Sequence, residues 1–366
     1  MSRFKILVIG STGVLGTKLL NFCKRKNINI DTICCFNNYK KLSNQQKKLQ
    51  IKNSFVLSDK NDVSKFVNHL KLNKFNIIYF LDHGAFSLRY ANLILKNNKF
   101  STLAIANKEM LIAGGSLLIN MISKSKNILI PLDSEHFSLQ KIKFNNESIK
   151  KIYITASGGP FYFNKKLKLD QVSLTQVLNH PKWKMGFNNL IDSSNFINKI
   201  LEILELSIIF DIDLAKIDFL VAKEAYIHSL IFYKNSTISF NCFDNNMLIP
   251  LASPLIEVFN SKKVAINNSK NFDISNFKLE LMKDKRFKIM KYFNNIKNFT
   301  HLEKIYFLIL NNKAHNMYLN NFIKYNDILP YIIKNMPKDK DLSFNVNSFK
   351  NIILKIKKIK KEYEIN

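Results

Sequence analysis

Phe4-Lys5-Ile6-Leu7-Val8-Ile9-Gly10-Ser11-Thr12-Gly13-Val14-Leu15-Gly16 opens the chain, and its reading decides the fold. The apolar run to Ile9 predicts a first strand, and a helical stretch to about Lys26 follows the glycines. Glycines at three-residue spacing let a backbone approach a pyrophosphate closely. The helix start then offers free N–H groups and a positive dipole end. A tight strand–helix turn without a ligand would use the same glycines. The next strand, read from Ile28 to Cys35, ends in Phe36-Asn37-Asn38-Tyr39-Lys40-Lys41. An acidic residue there would favour the ribose hydroxyl of NADH, whereas Asn and Lys suit the 2′-phosphate of NADPH.

Alternation continues outward from that turn. Asn53–Leu57, Asn76–Leu81, Thr102–Ala106 and Ile128–Leu132 read as strands with helices between them. The pattern predicts an open, mostly parallel α/β sheet, which binds ligands beyond its strand C-termini. Two of those ends carry polar groups, Ala106-Asn107-Lys108-Glu109 and Asp133-Ser134-Glu135. The first could also simply cap a helix. Asp133 and Glu135 are two apart, so an extended strand end would turn both to one side.

Four further clusters follow: Ser157-Gly158-Gly159-Pro160, His180-Pro181-Lys182-Trp183-Lys184-Met185-Gly186, Asp192-Ser193, and Asn198-Lys199-Ile200-Leu201-Glu202. With the strand ends they supply three carboxylates for a hard divalent metal, and hydroxyl, amide and ammonium groups for a phosphate. Asn198 and Glu202 are four apart and share a helix face. Trp183, the chain's sole tryptophan, fits a closing lid with Met185 and a Gly186 hinge; the alternative is a core aromatic, against which the polar neighbours Lys182 and Lys184 argue. Glu205 is expected at the surface or behind the metal ligands.

The totals narrow the class. At 366 residues, two or three domains are expected. No apolar run approaches the roughly 18–20 residues of a membrane helix. The first strand starts too early to leave room for a leader, and Cys23, Cys34, Cys35 and Cys242 lack metal-type spacing. A cytoplasmic protein with reduced thiols is expected. The net charge of +29 is spread along the whole chain with Asn, Ile and Phe. That is the mark of composition drift rather than of a nucleic-acid stripe, so neither nucleic acid nor membrane is an expected partner.

In order, the motifs GSTGVLG (10–16), ANKE (106–109), PLDSEH (131–136), TASGGPF (155–161), HPKWKMG (180–186), DS (192–193), NKxLE (198–202) and IHS (227–229) resemble the 1-deoxy-D-xylulose 5-phosphate reductoisomerase family. The resemblance covers residues 4 to about 260. It implies an N-terminal Rossmann-like NADP-binding domain (1–130) and an α/β catalytic and dimerisation domain (131–260). A linker (261–285) and a C-terminal helical domain (286–366) complete the layout. It further implies Mg²⁺ or Mn²⁺ on Asp133, Glu135 and Glu202, with Lys108 joining them in catalysis. NADPH would lie on Gly10, Ser11, Thr12, Gly13, Val14, Leu15, Asn37, Asn38, Asn107, Glu109 and Gly186. The phosphorylated sugar substrate would meet Lys108, Ser134, Glu135, Ser157, His180, Trp183, Met185, Ser193, Asn198, Lys199 and Glu202. A homodimer is implied as well.

Several positions depart from that family pattern. Phe36-Asn37 stands for Gly-Lys, Asn188 for a basic residue, and Ile200 for a Gly. Ala222-Lys223-Glu224-Ala225 replaces H-P-x-S, and Phe243–Leu248 lacks an Arg. A diverged oxidoreductase or a non-catalytic relative that binds another phosphorylated hydroxy-carbonyl compound therefore stays open.

Overall fold

The computed structural model describes residues 4–179, 186–259, 264, 266, 277–337 and 348–364. The chain forms two compact units. The first is drawn from Met1–Met110, Ser116–Gln140 and Asn246–Asn271, the second from Leu111–Gly115, Lys141–Asn245 and Phe272–Asn366.

The first unit is built on six strands: β1 (Ile6–Ile9), β2 (Thr32–Cys35), β3 (Asn53–Val56), β4 (Ile77–Phe80), β5 (Thr102–Ile105) and β6 (Ile128–Pro131). All pair in parallel, in the order β3-β2-β1-β4-β5-β6. Every residue of β1, β2, β4 and β5 is buried, as a sheet covered on both faces requires. That is why these strands read as unbroken apolar runs. The order reverses direction between β1 and β4, the point at which such sheets bind ligands. The later helix Leu248–Val258 also belongs to this unit, and the Tyr79 hydroxyl donates to its Leu251 carbonyl at 2.9 Å.

The second unit holds a mixed sheet of β7 (Ile149–Ala156), β8 (Ile217–Val221), β9 (Ile227–Tyr233), β10 (Ile238–Cys242) and β11 (Glu280–Leu281), ordered β10-β9-β7-β8-β11. β7 and β8 are parallel, so the chain crosses over between them through the helices Phe187–Ser194 and Ile197–Phe210. Helices Ile289–Lys297, His301–Leu319, Ile328–Lys334 and Phe349–Glu364 form the helical C-terminal part.

Three expectations need correction. The second strand begins at Thr32, not Ile28: the Ile28 N–H closes the preceding helix end on the Cys23 carbonyl at 2.9 Å. Asp133-Ser134-Glu135 is not extended. β6 stops at Pro131, the Asp133 carbonyl accepts the Phe137 N–H at 2.9 Å, and Ser134 opens the helix Ser134–Gln140. The stretch read as a linker contributes strand β11, which pairs with β8.

Candidate active site

The Gly-rich turn in the first unit is backbone pressed against backbone. Gly10 has a φ of 89°, and a Cβ there would lie 2.5 Å from the Leu81 carbonyl carbon. A Cβ on Gly16 would lie 2.4 Å from the Gly10 oxygen. Only glycine fits either position. The Gly10 and Ser11 N–H groups both donate to the Cys34 carbonyl at 2.9 Å, which pins the turn across the tip of β2. Ser11 exchanges two hydrogen bonds with the Gln45 amide, each 2.9 Å. No side chain among the described residues caps the helix Val14–Arg25, so its first N–H groups suit an anion. These features fit a dinucleotide pyrophosphate.

At the β2 tip, Phe36, Asn37, Asn38 and Tyr39 are exposed. Asn38 caps the helix Tyr39–Leu49, accepting the Lys41 N–H at 3.1 Å. The Lys41 ammonium donates to the Thr12 carbonyl at 2.7 Å and braces the cofactor turn. Thr12 and Leu15 are half-buried, whereas Gly13 and Val14 are exposed.

At the β5 end, Asn107 is fully buried and does cap the helix Lys108–Lys124, accepting the Met110 N–H at 2.9 Å. Its amide also donates to the Gly84 carbonyl at 3.0 Å and to Asp82 Oδ1 at 3.3 Å. Burial raises the Asp82 pKa, opposed by hydrogen bonds from Ser87 and Asn107. Asp82 and Ser87 were missed from sequence. Their signal was the C-terminus of β4, directly beside β1 at the order reversal. Glu109 is half-buried in the first helical turn.

The Lys108 ammonium lies 2.5 Å from Asp133 Oδ2, with both side chains nearly buried. Ser134 donates to Glu135 Oε2, and both residues are buried. The first unit thus sets two carboxylates within one helical turn, beside a hydroxyl and an ammonium. That donor set fits a hard cation and an oxygen-rich substrate.

In the second unit, nine residues of the helix Ile197–Phe210 are buried, Lys199, Glu202 and Glu205 among them. Glu202 accepts from the Asn198 amide on one oxygen and from the Lys199 ammonium on the other. The shared face expected for Asn198 and Glu202 is present. Glu205 is fully buried, not at the surface. Phe196, which opens this helix, has a φ of 67°, unusual for an aromatic residue. The rings of Tyr162, Phe219 and Phe287 pack around it and hold that conformation. The strained residue lets the chain turn from Ser193 on one helix to Asn198 on the next. Ser157 follows β7 and leads into Gly158 and Gly159, both at positive φ. Ser157, Ser193 and Asn198 are all half-buried. Gly186 sits at the N-cap of the helix Phe187–Ser194. His180, Trp183 and Met185 lie outside the described residues.

Comparison with known proteins gives matches in both sequence and fold. The family profile for the 1-deoxy-D-xylulose 5-phosphate reductoisomerase C-terminal domain matches residues 129–210. The 1-deoxy-D-xylulose 5-phosphate reductoisomerase of Pelagibacter ubique (strain HTCC1062) is 36% identical over 355 residues, covering 90% of each chain. That of Clostridium novyi (strain NT) is 28% identical over 385 aligned positions, covering 98% of this chain and 99% of the relative. A crystal structure of DOX-P reductoisomerase in complex with NADPH, fosmidomycin and magnesium shares the fold. Its TM-score is 0.87 at 21% identity, over 99% of this chain and 98% of that one. The Zymomonas mobilis enzyme in complex with NADPH does so with a TM-score of 0.79 at 22% identity, over the same shares. By sequence along nearly its whole length, this chain belongs to the 1-deoxy-D-xylulose 5-phosphate reductoisomerase family.

Proposed function

We propose that this chain carries out the family's reaction, in which 1-deoxy-D-xylulose 5-phosphate is rearranged and reduced to 2-C-methyl-D-erythritol 4-phosphate for isoprenoid precursors. It is an NADPH-dependent oxidoreductase that uses Mg²⁺ or Mn²⁺. The observation that carries the reading is buried charge. Lys108, Glu135, Lys199 and Glu202 are each under a tenth exposed. Charge is expensive to bury unless it is paired and used.

Asp133, Glu135 and Glu202 are the metal ligands in this reading. When bound, the cation supplies Lewis-acid polarisation of the substrate's ketone and neighbouring hydroxyl. Lys108 holds Asp133 and offers positive charge to the enolate-like oxygen that develops during the carbon-skeleton step. Ser134 hydrogen-bonds a substrate oxygen. Ser157, Ser193, Asn198 and Lys199 hold the phosphate, and His180, Trp183 and Met185 cover the substrate and exclude water. Asn198 and Lys199 share one helix with Glu202, so the phosphate end and the reacting end of the substrate have a fixed spacing. NADPH, the hydride source, is held along the Gly10–Leu15 turn, with Asn37, Asn38, Asn107, Glu109 and Gly186.

A homodimer and a cytoplasmic setting complete the proposal. Edge strand β10 supports the first, since Ile238 and Phe240 alternate on one face and both stand exposed. The free thiols of Cys23, Cys34, Cys35 and Cys242 support the second. No helix among the described residues is long and apolar enough to cross a membrane.

The test follows NADPH absorbance with 1-deoxy-D-xylulose 5-phosphate and Mn²⁺. Oxidation should stop on chelation and fall by at least about a thousandfold in Asp133→Asn. A folded protein that binds NADPH but oxidises none overturns the reading.

A further inference from the structure

A buried polar cluster in the second unit has no part in the chemistry described so far. Asp192 lies on the helix Phe187–Ser194, next to Ser193, and is 3% exposed. The Asn311 amide donates to its two carboxylate oxygens at 3.1 and 3.0 Å. His315 Nε2 lies 2.8 Å from Oδ1. His315 Nδ1 has no hydrogen-bond partner among the described residues, so the ring is held to Asp192 through Nε2 alone. Both partners are buried on the helix His301–Leu319. One turn before Asp192, the Asn188 amide donates to Asn312 Oδ1 at 3.3 Å. Positions 188 and 192 share one face, so a polar seam runs along the two helices.

An apolar seam of the same volume would hold two helices together at least as well, because a buried carboxylate carries a desolvation cost. What the polar seam adds is a fixed rotation. Consecutive helical residues point about 100° apart, so locking Asp192 sets the direction of Ser193. The other side of Ser193 is fixed too: a Cβ on Gly159 would lie 2.9 Å from the Ser193 carbonyl oxygen.

We propose that Asn311 and His315 are positioning residues for the substrate phosphate, acting through Asp192 to aim Ser193. The inference rests on the assignment of the phosphate to Ser157, Ser193, Asn198 and Lys199. A positioning role predicts loss of ground-state binding more than of turnover. His315→Ala should raise KM for 1-deoxy-D-xylulose 5-phosphate about tenfold, change kcat less than about threefold, and leave KM for NADPH unaltered. His315→Gln, which keeps an N–H donor, should recover most of the loss. In a Ser193→Ala background the His315→Ala effect should vanish, because the two changes remove one interaction. A KM effect that persists undiminished there, or no KM effect, overturns the proposal. Should His315→Ala fail to fold, the same cycle is run with Asn311→Ser in its place. Should the wild type show no turnover, calorimetry with inorganic phosphate separates the two claims. Weaker phosphate binding in the His315 variant upholds the positioning role even though the reaction assignment fails. Equal binding, or none to either protein, overturns it.

Discussion

Arg286 shows how one residue far along the chain can hold a loop next to the candidate phosphate site. Its guanidinium donates to the carbonyls of Asn164 at 2.7 Å and Leu167 at 3.0 Å, and more loosely to those of Phe161 and Tyr162. Those residues follow Ser157-Gly158-Gly159 directly. Asp284 receives the same guanidinium at 2.8 Å and the Lys165 ammonium at 3.1 Å. The Arg286 hydrogen bonds, opposed in part by burial, hold the Asp284 pKa down at about 2. A depressed carboxylate stabilises the fold fully above its unfolded value of about 3.9 and loses that contribution as pH falls through the folded value. Asp284→Asn should therefore cost about 2 kcal/mol at pH 6, a difference that disappears toward about pH 2. Urea midpoints of both proteins across that range check this, and a constant offset would refute it. Gly10 gives a second prediction at this scale. Gly10→Ala forces a Cβ into Leu81 and Asp82 backbone at positive φ, so it should cost about 1–3 kcal/mol. NADPH affinity should drop by more than about tenfold, read by fluorescence titration.

At the scale of elements, the helix Lys108–Lys124 is kinked at Gly115, with φ 52° and ψ −149°. The kink is filled by His301: a Cβ on Gly115 would lie 2.7 Å from the imidazole, whose Nε2 bonds the Ala113 carbonyl at 2.9 Å. Gly115→Ala should destabilise by about 1–3 kcal/mol, and His301→Ala should relieve part of that clash in the double variant. Desolvation by burial lowers the His301 pKa. The fold keeps the ring neutral, so stability is complete above about pH 6.5 and declines as pH falls through the folded value. Thermal melts of wild type and His301→Gln should diverge in that window, and parallel curves would refute the assignment. Sequence made the strands legible to within a residue at β3 to β6; at β4 and β5 the reason is burial on both faces, which leaves a nearly continuous apolar run. It misplaced the start of β2, where Ile28 and Ile30 are buried outside the ladder. It also took Asp133–Glu135 as extended, since three polar residues carry no periodicity to reveal a helix start. The partners of Asp192 lie 119 and 123 residues away, and no local pattern announces such a pairing.

At the scale of the whole molecule, 56 basic against 27 acidic residues give the chain a net charge of +29, far beyond what the candidate site uses. Lys108 and Lys199 are buried, while most other lysines are solvated. A positive field of this size raises the local concentration of a phosphorylated substrate and speeds its encounter, without changing the chemistry after binding. Salt with a Debye length near 3 Å at 1 M screens that field but leaves short, buried pairs such as Lys108–Asp133 nearly intact. Raising ionic strength from about 0.02 to about 0.5 M should therefore lower kcat/KM for 1-deoxy-D-xylulose 5-phosphate about tenfold, with kcat at saturation nearly constant. Steady-state kinetics over a potassium chloride series at fixed Mn²⁺ measure both quantities. A flat kcat/KM would show that the surplus lysines take no part in substrate capture. A parallel fall in kcat would instead place the salt effect on the buried site.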